Sequence, residues 1–182
     1  MIKNQILRNL NQNLKSIYLK SHTKKIPNGY QVAIERKDGG ANIFNVEGMQ
    51  IQNLLPSQYE FYEKIFSEND RNKLIGDLSD FFLMQYLSKQ EDFQQQGDKL
   101  FTNFSIENRT EYLKTLKSIA LTLKKYDTPI NSVQCAIPLA LARAQEYIDN
   151  KDDMHSYYNS VAFMVLDDTV DCIDFVNDFD NV

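Results

Sequence analysis

The spacing of apolar residues changes once along this chain, and that change constrains the fold more than any other feature. Near the N-terminus they recur every three or four positions, which places on one helix face Ile2, Ile6, Leu10, Leu14 and Ile17. Between residues 30 and 52 apolar and polar residues alternate, which is the period of a half-buried strand. Helical spacing returns after Pro56. The pattern predicts an α+β protein that is predominantly α-helical.

The alternating stretch carries turn signals as well as strand signals. Tyr30, Val32 and Ile34 alternate with polar or small residues, and residues 43–46 form a second run of the same kind. Asp38-Gly39-Gly40 separates the two runs and is typical of a hairpin, because glycine accepts the positive φ of a tight turn. We therefore expect a small antiparallel meander of two or three strands near residues 30–52, with helices covering one of its faces.

Six or seven helices are expected in all: the N-terminal helix, a short one after the capping-box pattern of Ser57 and Glu60, and four longer segments that follow. The first of these four, Asp70–Lys89, is apolar around much of its circumference and is predicted to be the central core helix. The second runs from Asn108 to Lys125. The third covers 129–148, and we expect Pro138 to kink or split it. The last covers 152–179.

The length and composition fit a single globular domain over residues 1–182. Six glycines and four prolines are too few for a many-stranded sandwich or barrel, which needs a turn every few residues. Residues 90–108 are polar but punctuated by aromatic residues. This stretch is predicted to be a long ordered loop and a candidate insertion or binding loop.

Charge is distributed unevenly along the chain. The net charge is −5, yet residues 1–34 carry six Lys or Arg and no acidic residue. Residues 145–182 carry ten Asp or Glu and a single base, Lys151. The two ends either neutralise each other in the fold or meet a charged partner. The acidic end argues against nucleic acid as that partner, because phosphate contacts need surplus Lys and Arg.

The remaining composition points to a cytoplasmic protein without a cofactor. Cys135 and Cys172 are interpreted as reduced thiols. No apolar run is long enough to span a bilayer, so no membrane partner is expected. His22 and His155 are not spaced with the cysteines as in a zinc finger, and both are interpreted as surface or structural residues.

The C-terminal segment is the most informative part of the sequence. Asp167, Asp171, Asp174 and Asp178 follow one another at spacings of four, three and four, so a helix would place them in one stripe. Phe175 and Phe179 lie in a neighbouring apolar stripe. Aspartates at these spacings repel by roughly a few tenths of a kcal/mol per pair, and aspartate is a poor helix former. The arrangement therefore has a cost for folding that needs an explanation.

Three interpretations of this stripe remain open. The stripe is either a solvated face whose charge is partly neutralised by the basic N-terminal helix, or an acidic binding surface, or a metal site. As a binding surface, its carboxylates would steer a basic protein and its phenylalanines would supply desolvated contact area. The predicted contact residues are Asp167, Asp171, Asp174, Phe175, Asp178 and Phe179.

The metal interpretation rests on a short motif. Residues 167–171 read D-D-x-x-D, which resembles the first aspartate-rich motif of the all-α isoprenoid synthases. The resemblance implies Mg²⁺ held by Asp167, Asp168 and Asp171, with the metal binding a substrate diphosphate. It covers five residues of 182. The family needs a second metal-binding motif, and 149–153 holds three aspartates without that pattern.

The sequence as a whole favours a non-enzymatic protein. We expect an inhibitory or protein-binding role in which an acidic helical surface meets a basic protein, and a toxin-neutralising, immunity-type protein is one concrete form. A small Mg²⁺-dependent helical enzyme that uses residues 167–171 is the first alternative, and a structural or assembly subunit is the second.

Overall fold

The computed structural model describes residues 2–54, 66–89, 106–127 and 136–150. Within these ranges the chain forms α1 (Ile2–Leu19), β1 (Ser21–Ile26), β2 (Gly29–Glu35), β3 (Ala41–Glu47), β4 (Gln50–Asn53), α2 (Glu68–Lys89), α3 (Ile106–Lys125) and α4 (Ala136–Asp149). The predicted class, helix-dominated α+β with a small antiparallel sheet, is confirmed.

The sheet is a simple meander in which neighbouring strands follow one another in the order β1-β2-β3-β4. Val32 lies opposite Phe44, and Tyr30 lies opposite Val46. The alternation read from the sequence sets the inner face, where Val32, Ile34, Phe44 and Val46 are buried. The helices therefore pack on the apolar face of the sheet, as the alternation predicts.

Glycines with a positive φ lie in two of the three turns of the meander. Gly39 has a φ of 88° and Gly48 a φ of 59°, values that an L side chain rarely adopts. At the β2–β3 turn Asp38 Oδ1 accepts hydrogen bonds from Gly40 N at 2.9 Å and Arg36 Nε at 3.1 Å. These bonds lower the pKa of Asp38, the backbone bond from Gly40 being the main cause.

Strand β1 is an addition to the predicted meander. Its sequence, Ser-His-Thr-Lys-Lys-Ile, has no apolar alternation, yet all six residues pair with β2 in an antiparallel register from Ser21↔Ile34 to Ile26↔Gly29. An edge strand takes its stability from backbone hydrogen bonds to its neighbour and needs no continuous apolar face. Lys24 and Lys25 also suit an edge, since their charges discourage further strand pairing.

Helix α4 lies at the centre of the core. It contacts β1, β2 and β3 and also packs along α2. Nine of its fourteen residues are buried, and four of those nine are alanines that allow close approach to both neighbours. The predicted kink or split at Pro138 concerns a helix over 129–148, of which residues 129–135 lie outside the described residues. In the described chain Pro138 lies in the first turn of α4, where its missing N–H is one that has no partner within the helix.

The other three helices complete the core. Helix α2 buries Leu74, Leu78, Phe81 and Phe82 almost completely, which confirms it as a core helix. It contacts α1, α3 and α4. Helix α1 buries the middle of its predicted stripe, while Ile6 stays half-exposed. Helix α3 begins at Ile106, two residues before the predicted Asn108. The rest of the predicted 90–108 loop lies outside the described residues.

A hydrogen-bonded junction joins the start of α2 to the end of α3. Tyr126 donates its hydroxyl to Asp70 Oδ2 at 2.5 Å, and Lys125 Nζ lies 2.6 Å from the same oxygen. Ser67 Oγ accepts the backbone N–H of Asp70, as an N-cap residue does. The Tyr126 ring also meets Phe66 edge-on, with centroids 4.7 Å apart. The hydrogen bonds from Lys125, then Tyr126, hold the pKa of Asp70 at about 2.

The lowered pKa of Asp70 predicts that the free energy of unfolding decreases at acid pH. The folded-state pKa of Asp70, about 2, lies below its ordinary value of 3.8, so its contribution is complete above pH 3.8 and is lost as the pH falls towards 2. Asp70→Asn should lower the urea midpoint at neutral pH. The difference between its midpoint and that of wild type should become smaller as the pH falls from 3.8 towards 2. Tyr126→Phe, which keeps the ring contact, should show the same trend more weakly. Urea unfolding at several pH values measures both, and a gap that does not change with pH would contradict the assignment.

Candidate functional site

The predicted contact residues lie outside the part of the chain that the structure describes. This applies to Asp167, Asp171, Asp174, Phe175, Asp178 and Phe179, and also to Asp168 of the alternative metal site. The described chain does include the beginning of the acidic segment 145–182, because α4 ends at Asp149 and the description extends to Asn150. The described part of the candidate site is therefore this beginning together with the surfaces beside it.

The last turn of α4 exposes two carboxylates and an aromatic ring. Ala144 and Ile148, four residues apart, are buried against the core. Helical geometry then directs Glu146, Tyr147 and Asp149 outwards, and all three are exposed. Tyr147 is an exposed large aromatic with 44 % of its surface accessible. This acidic turn, defined here as residues 145–150, combines negative charge with an aromatic contact surface.

Hydrogen bonds from neutral groups hold Asp149 in place. Tyr30 on β2 donates its hydroxyl to Asp149 Oδ2 at 2.9 Å, and Gln145 Nε2 donates to Oδ1 at 3.0 Å. A carboxylate is unfavourable at a helix C-terminus, where the backbone carbonyls carry partial negative charge, and the last turn of α4 has no basic residue. The two neutral donors offset part of that cost while leaving the negative charge of the turn intact.

Tyr30 remains a proton donor at any physiological pH. Burial raises its pKa to about 12, helped by the hydrogen bond to Asp149 and by the charges of Asp149 and Glu146. Lys25 lies directly opposite Tyr30 in the β1–β2 register. Among the described ion pairs, however, none joins a lysine of α1 or β1 to the acidic turn. In the described residues, the basic N-terminal part therefore does not neutralise these two carboxylates by direct pairing.

A small cleft opens beside the acidic turn. It has a volume of about 100 Å³ and lies between the end of α1, β1, α2 and α4. Its lining mixes aromatic, aliphatic and polar side chains: Tyr18, Ser21, Thr23, Phe82, Tyr86, Leu141, Ala144, Gln145 and Ile148. Gln145 belongs to both the cleft and the hydrogen bond with Asp149. A space of this size next to a charged turn suits one inserted side chain of a partner.

Two packed aromatic rings form part of the lining of the cleft. The Tyr18 and Phe82 rings stack with centroids 6.4 Å apart and planes 20° apart. Burial raises the pKa of Tyr18 to about 12, and the neighbouring Tyr86 adds to the rise. The ring stacking and the raised pKa show that this side of the cleft is partly desolvated and that the Tyr18 hydroxyl is neutral. No local sequence signal indicates this cleft, because its lining residues come from four separate elements.

A pair of half-buried aspartates lies on α2, away from the acidic turn. Asp77 Oδ2 accepts a hydrogen bond from Ser118 Oγ of α3 at 2.5 Å. Burial raises the pKa of Asp77, and burial together with the charge of Asp77 raises that of Asp80 to about 6. Their spacing of three residues within the apolar part of α2, between Leu74 and Phe82, is a sequence signal for such a pair. The hydrogen bond between Ser118 and Asp77 joins α3 to α2.

The described residues contain no metal centre. No group of three or more His, Cys, Asp or Glu side chains in ranges 2–54, 66–89, 106–127 and 136–150 is placed to hold a metal ion. His22 is exposed, as expected, and lies 3.7 Å from Glu35 across the sheet surface. In the same ranges, no helix combines the length and the apolar character that crossing a membrane requires.

Comparisons with protein-family models, with curated proteins and with solved structures gave no match for this chain.

Proposed function

We propose that this chain is a non-enzymatic protein-binding protein that presents an acidic, aromatic-edged helical surface to a basic protein partner. The observation that carries the proposal is the charge of residues 145–182, which hold ten acidic residues and one lysine. The described beginning of that segment supports it, because Glu146, Tyr147 and Asp149 are all exposed in the last turn of α4. A toxin-neutralising, immunity-type protein that blocks a basic cleft is its most concrete form.

On this proposal, charge and desolvation contribute to different parts of binding. Exposed carboxylates of one sign raise the rate at which a basic partner arrives and set its orientation. Aromatic side chains that become buried on contact supply most of the affinity. On this proposal the predicted residues Asp167, Asp171, Asp174 and Asp178 steer the partner, and Phe175 and Phe179 anchor it. The cytoplasm is the proposed compartment.

The cleft beside the acidic turn gives the proposed surface a second anchor point. It lies next to Gln145, which also orients Asp149, so a side chain entering the cleft would pass close to the carboxylates of the turn. A lysine or arginine fits that position, since its aliphatic stem can lie against Leu141 and Ile148 while its charge remains near Asp149.

A salt-dependent capture experiment tests the proposal. The full chain, tagged, is incubated with lysate of the source organism at low and at raised salt. We expect a basic protein in near-equal amount at low salt and much less of it at raised salt, because added ions screen exposed charges. A bait carrying Asp171→Asn, Asp174→Asn and Asp178→Asn should capture less. Capture that depends on neither salt nor these aspartates would contradict the proposal.

The D-D-x-x-D stretch favours a second candidate, a small Mg²⁺-dependent helical enzyme using Asp167, Asp168 and Asp171. A metal that binds only the folded state stabilises it by mass action. Thermal unfolding with and without Mg²⁺ or Mn²⁺ separates the candidates. A midpoint that rises with metal concentration, and no longer does so in Asp168→Asn, would favour the enzyme.

A further inference from the structure

The two edge strands of the sheet differ in charge, and charge influences whether another strand can pair with an edge. At the β1 edge Lys24 and Lys25 are exposed. At the β4 edge the residues 48–54 carry no charge, and the strand itself reads Gln-Ile-Gln-Asn. Exposed edges are ordinarily blocked by lysine, proline or a bulge, because an unblocked edge is a template for another strand. The β4 edge has none of these.

The register of the β3–β4 hairpin shows which backbone groups face outwards. Glu47 lies opposite Gln50 across a turn of two residues, so this pair closes the hairpin with its own hydrogen bonds. The pattern alternates, and Leu54 N again bonds Ile43 O, at 2.8 Å. Ile51 and Asn53 lie between these bonded positions. Their N–H and C=O groups therefore point away from β3, to an edge that no described residue pairs with.

Apolar side chains lie exposed at both ends of this edge. Met49 precedes the strand with 38 % of its surface accessible, and Leu54 follows it with 40 %. Leu54 lies on the outer face of the sheet, opposite Ile43. An added strand would cover part of both side chains while it satisfies the outward backbone groups.

We propose that β4 is a dimerisation edge, where the strand pairs antiparallel with the same strand of a second copy around a twofold axis at Gln52. In this register Ile51 lies opposite Asn53 of the partner subunit, and Asn53 lies opposite Ile51 of the partner subunit. Their outward groups then form four backbone hydrogen bonds, and the two meanders join into one continuous sheet. The same patch serves both copies, as an isologous contact requires.

Charge is the reason to assign the edge to a second copy. Like charges directly opposite each other destabilise a strand pair, and a symmetric pair places the residues nearest the twofold axis against themselves or their near neighbours. β4 has no charge to repel, so its symmetric pair carries no such penalty, and Gln52 lies opposite Gln52 of the partner subunit. A symmetric pair of β1 strands would bring Lys24 and Lys25 of both copies onto one short strand pair, where their charges repel. Of these two edges, β4 is therefore the one at which self-pairing meets no repulsion between strand charges.

Light scattering on the full chain tests whether the dimer forms. We expect a concentration-dependent mass that approaches twice the chain mass of 21.2 kDa. Gln52→Lys places a like charge across the axis and should return the mass to that of one chain. Gln31→Lys is the matched control, since it adds the same charge to the same face two strands away from the edge, and it should leave the mass doubled. A chain that stays monomeric, or a dimer that survives Gln52→Lys, would overturn the proposal.

Cysteine crosslinking tests the register independently of stability. In a chain with Cys135→Ser and Cys172→Ser, Gln52→Cys should form an intermolecular disulfide, because non-bonded antiparallel partners have Cα atoms about 4.5 Å apart. Gln50→Cys is the control. Its symmetry mate lies four residues along the strand, about 13 Å away, and should not react. Equal crosslinking of the two variants, or none of either, would rule out this register.

Discussion

Replacing Phe44 by alanine should lower the free energy of unfolding by about 3–5 kcal/mol. Phe44 is completely buried at the centre of β3, opposite Val32, on the sheet face that α4 covers. Its removal loses the transfer free energy of a large ring and leaves a cavity that the alanine-rich surface of α4 cannot fill. Since domains of this kind are stable by about 5–15 kcal/mol, the loss would be a large share of the total.

Urea unfolding with a matched control makes the Phe44 prediction specific. Ile43→Ala removes an apolar side chain from the next position of the same strand, but on the outer face, where Ile43 is only half-buried. We expect it to cost about 1 kcal/mol or less. The slope of the unfolding free energy against urea should stay the same in both variants. Equal losses at the two positions would mean that the faces of β3 are assigned the wrong way round.

Gly29→Ala should be the second most damaging substitution, costing about 1–3 kcal/mol or more. Gly29 begins β2, where the chain passes against the end of β3. A Cβ atom there would overlap the carbonyl oxygen of Val46 and lie 3.2 Å from the Cα of Glu47. Both obstacles belong to the backbone, which moves only if the β2–β3 pairing shifts. The cost therefore comes from strand geometry, since Gly29 does not have a positive φ.

Gly40→Ala is the control for this prediction. A Cβ at Gly40 would also meet a close neighbour, but that neighbour is the guanidinium end of Arg36, an exposed side chain that can rotate away. Gly40→Ala should therefore change the denaturation midpoint much less than Gly29→Ala. If both variants unfold at the same denaturant concentration, steric conflict with the β3 backbone is not what requires glycine at position 29.

Local periodicity was enough to predict the elements that bury one continuous face. Helix α1, strands β2 and β3 and helix α2 all carry an apolar pattern of their own, and each was expected close to where it lies. β1 was not expected, because Ser21–Ile26 has no such pattern and forms through pairing with β2. The predicted kink or split at Pro138 stays a prediction, because residues 129–135 of the predicted helix lie outside the described residues.

The same distinction, between features readable from local sequence and features that depend on packing, applies to the candidate site. The acidic character of residues 145–182 is a matter of composition and was visible at once. The bond between Tyr30 and Asp149 joins residues 119 positions apart, and the bond between Ser118 and Asp77 spans 41. The cleft likewise needs four elements to meet. Such contacts depend on tertiary packing, for which a single sequence carries no local signal.

The central claim is that the acidic C-terminal surface steers a basic partner, and association kinetics test it most directly. The rate constant for association with the captured partner is measured over a salt series for wild type and two charge-matched variants. One variant carries Asp171→Asn, Asp174→Asn and Asp178→Asn. The other carries Glu35→Gln, Glu47→Gln and Glu68→Gln, which removes the same charge from exposed positions elsewhere. Circular dichroism checks that both remain folded.

We predict that the aspartate variant associates about tenfold more slowly than wild type at low salt and that its rate depends less on salt. The glutamate variant should follow the wild-type salt series closely, because it changes the net charge without changing the proposed surface. If the two variants slow association equally, net charge alone controls the encounter. That result, or rates unchanged in both variants, would contradict an acidic binding surface at the C-terminal end of this chain.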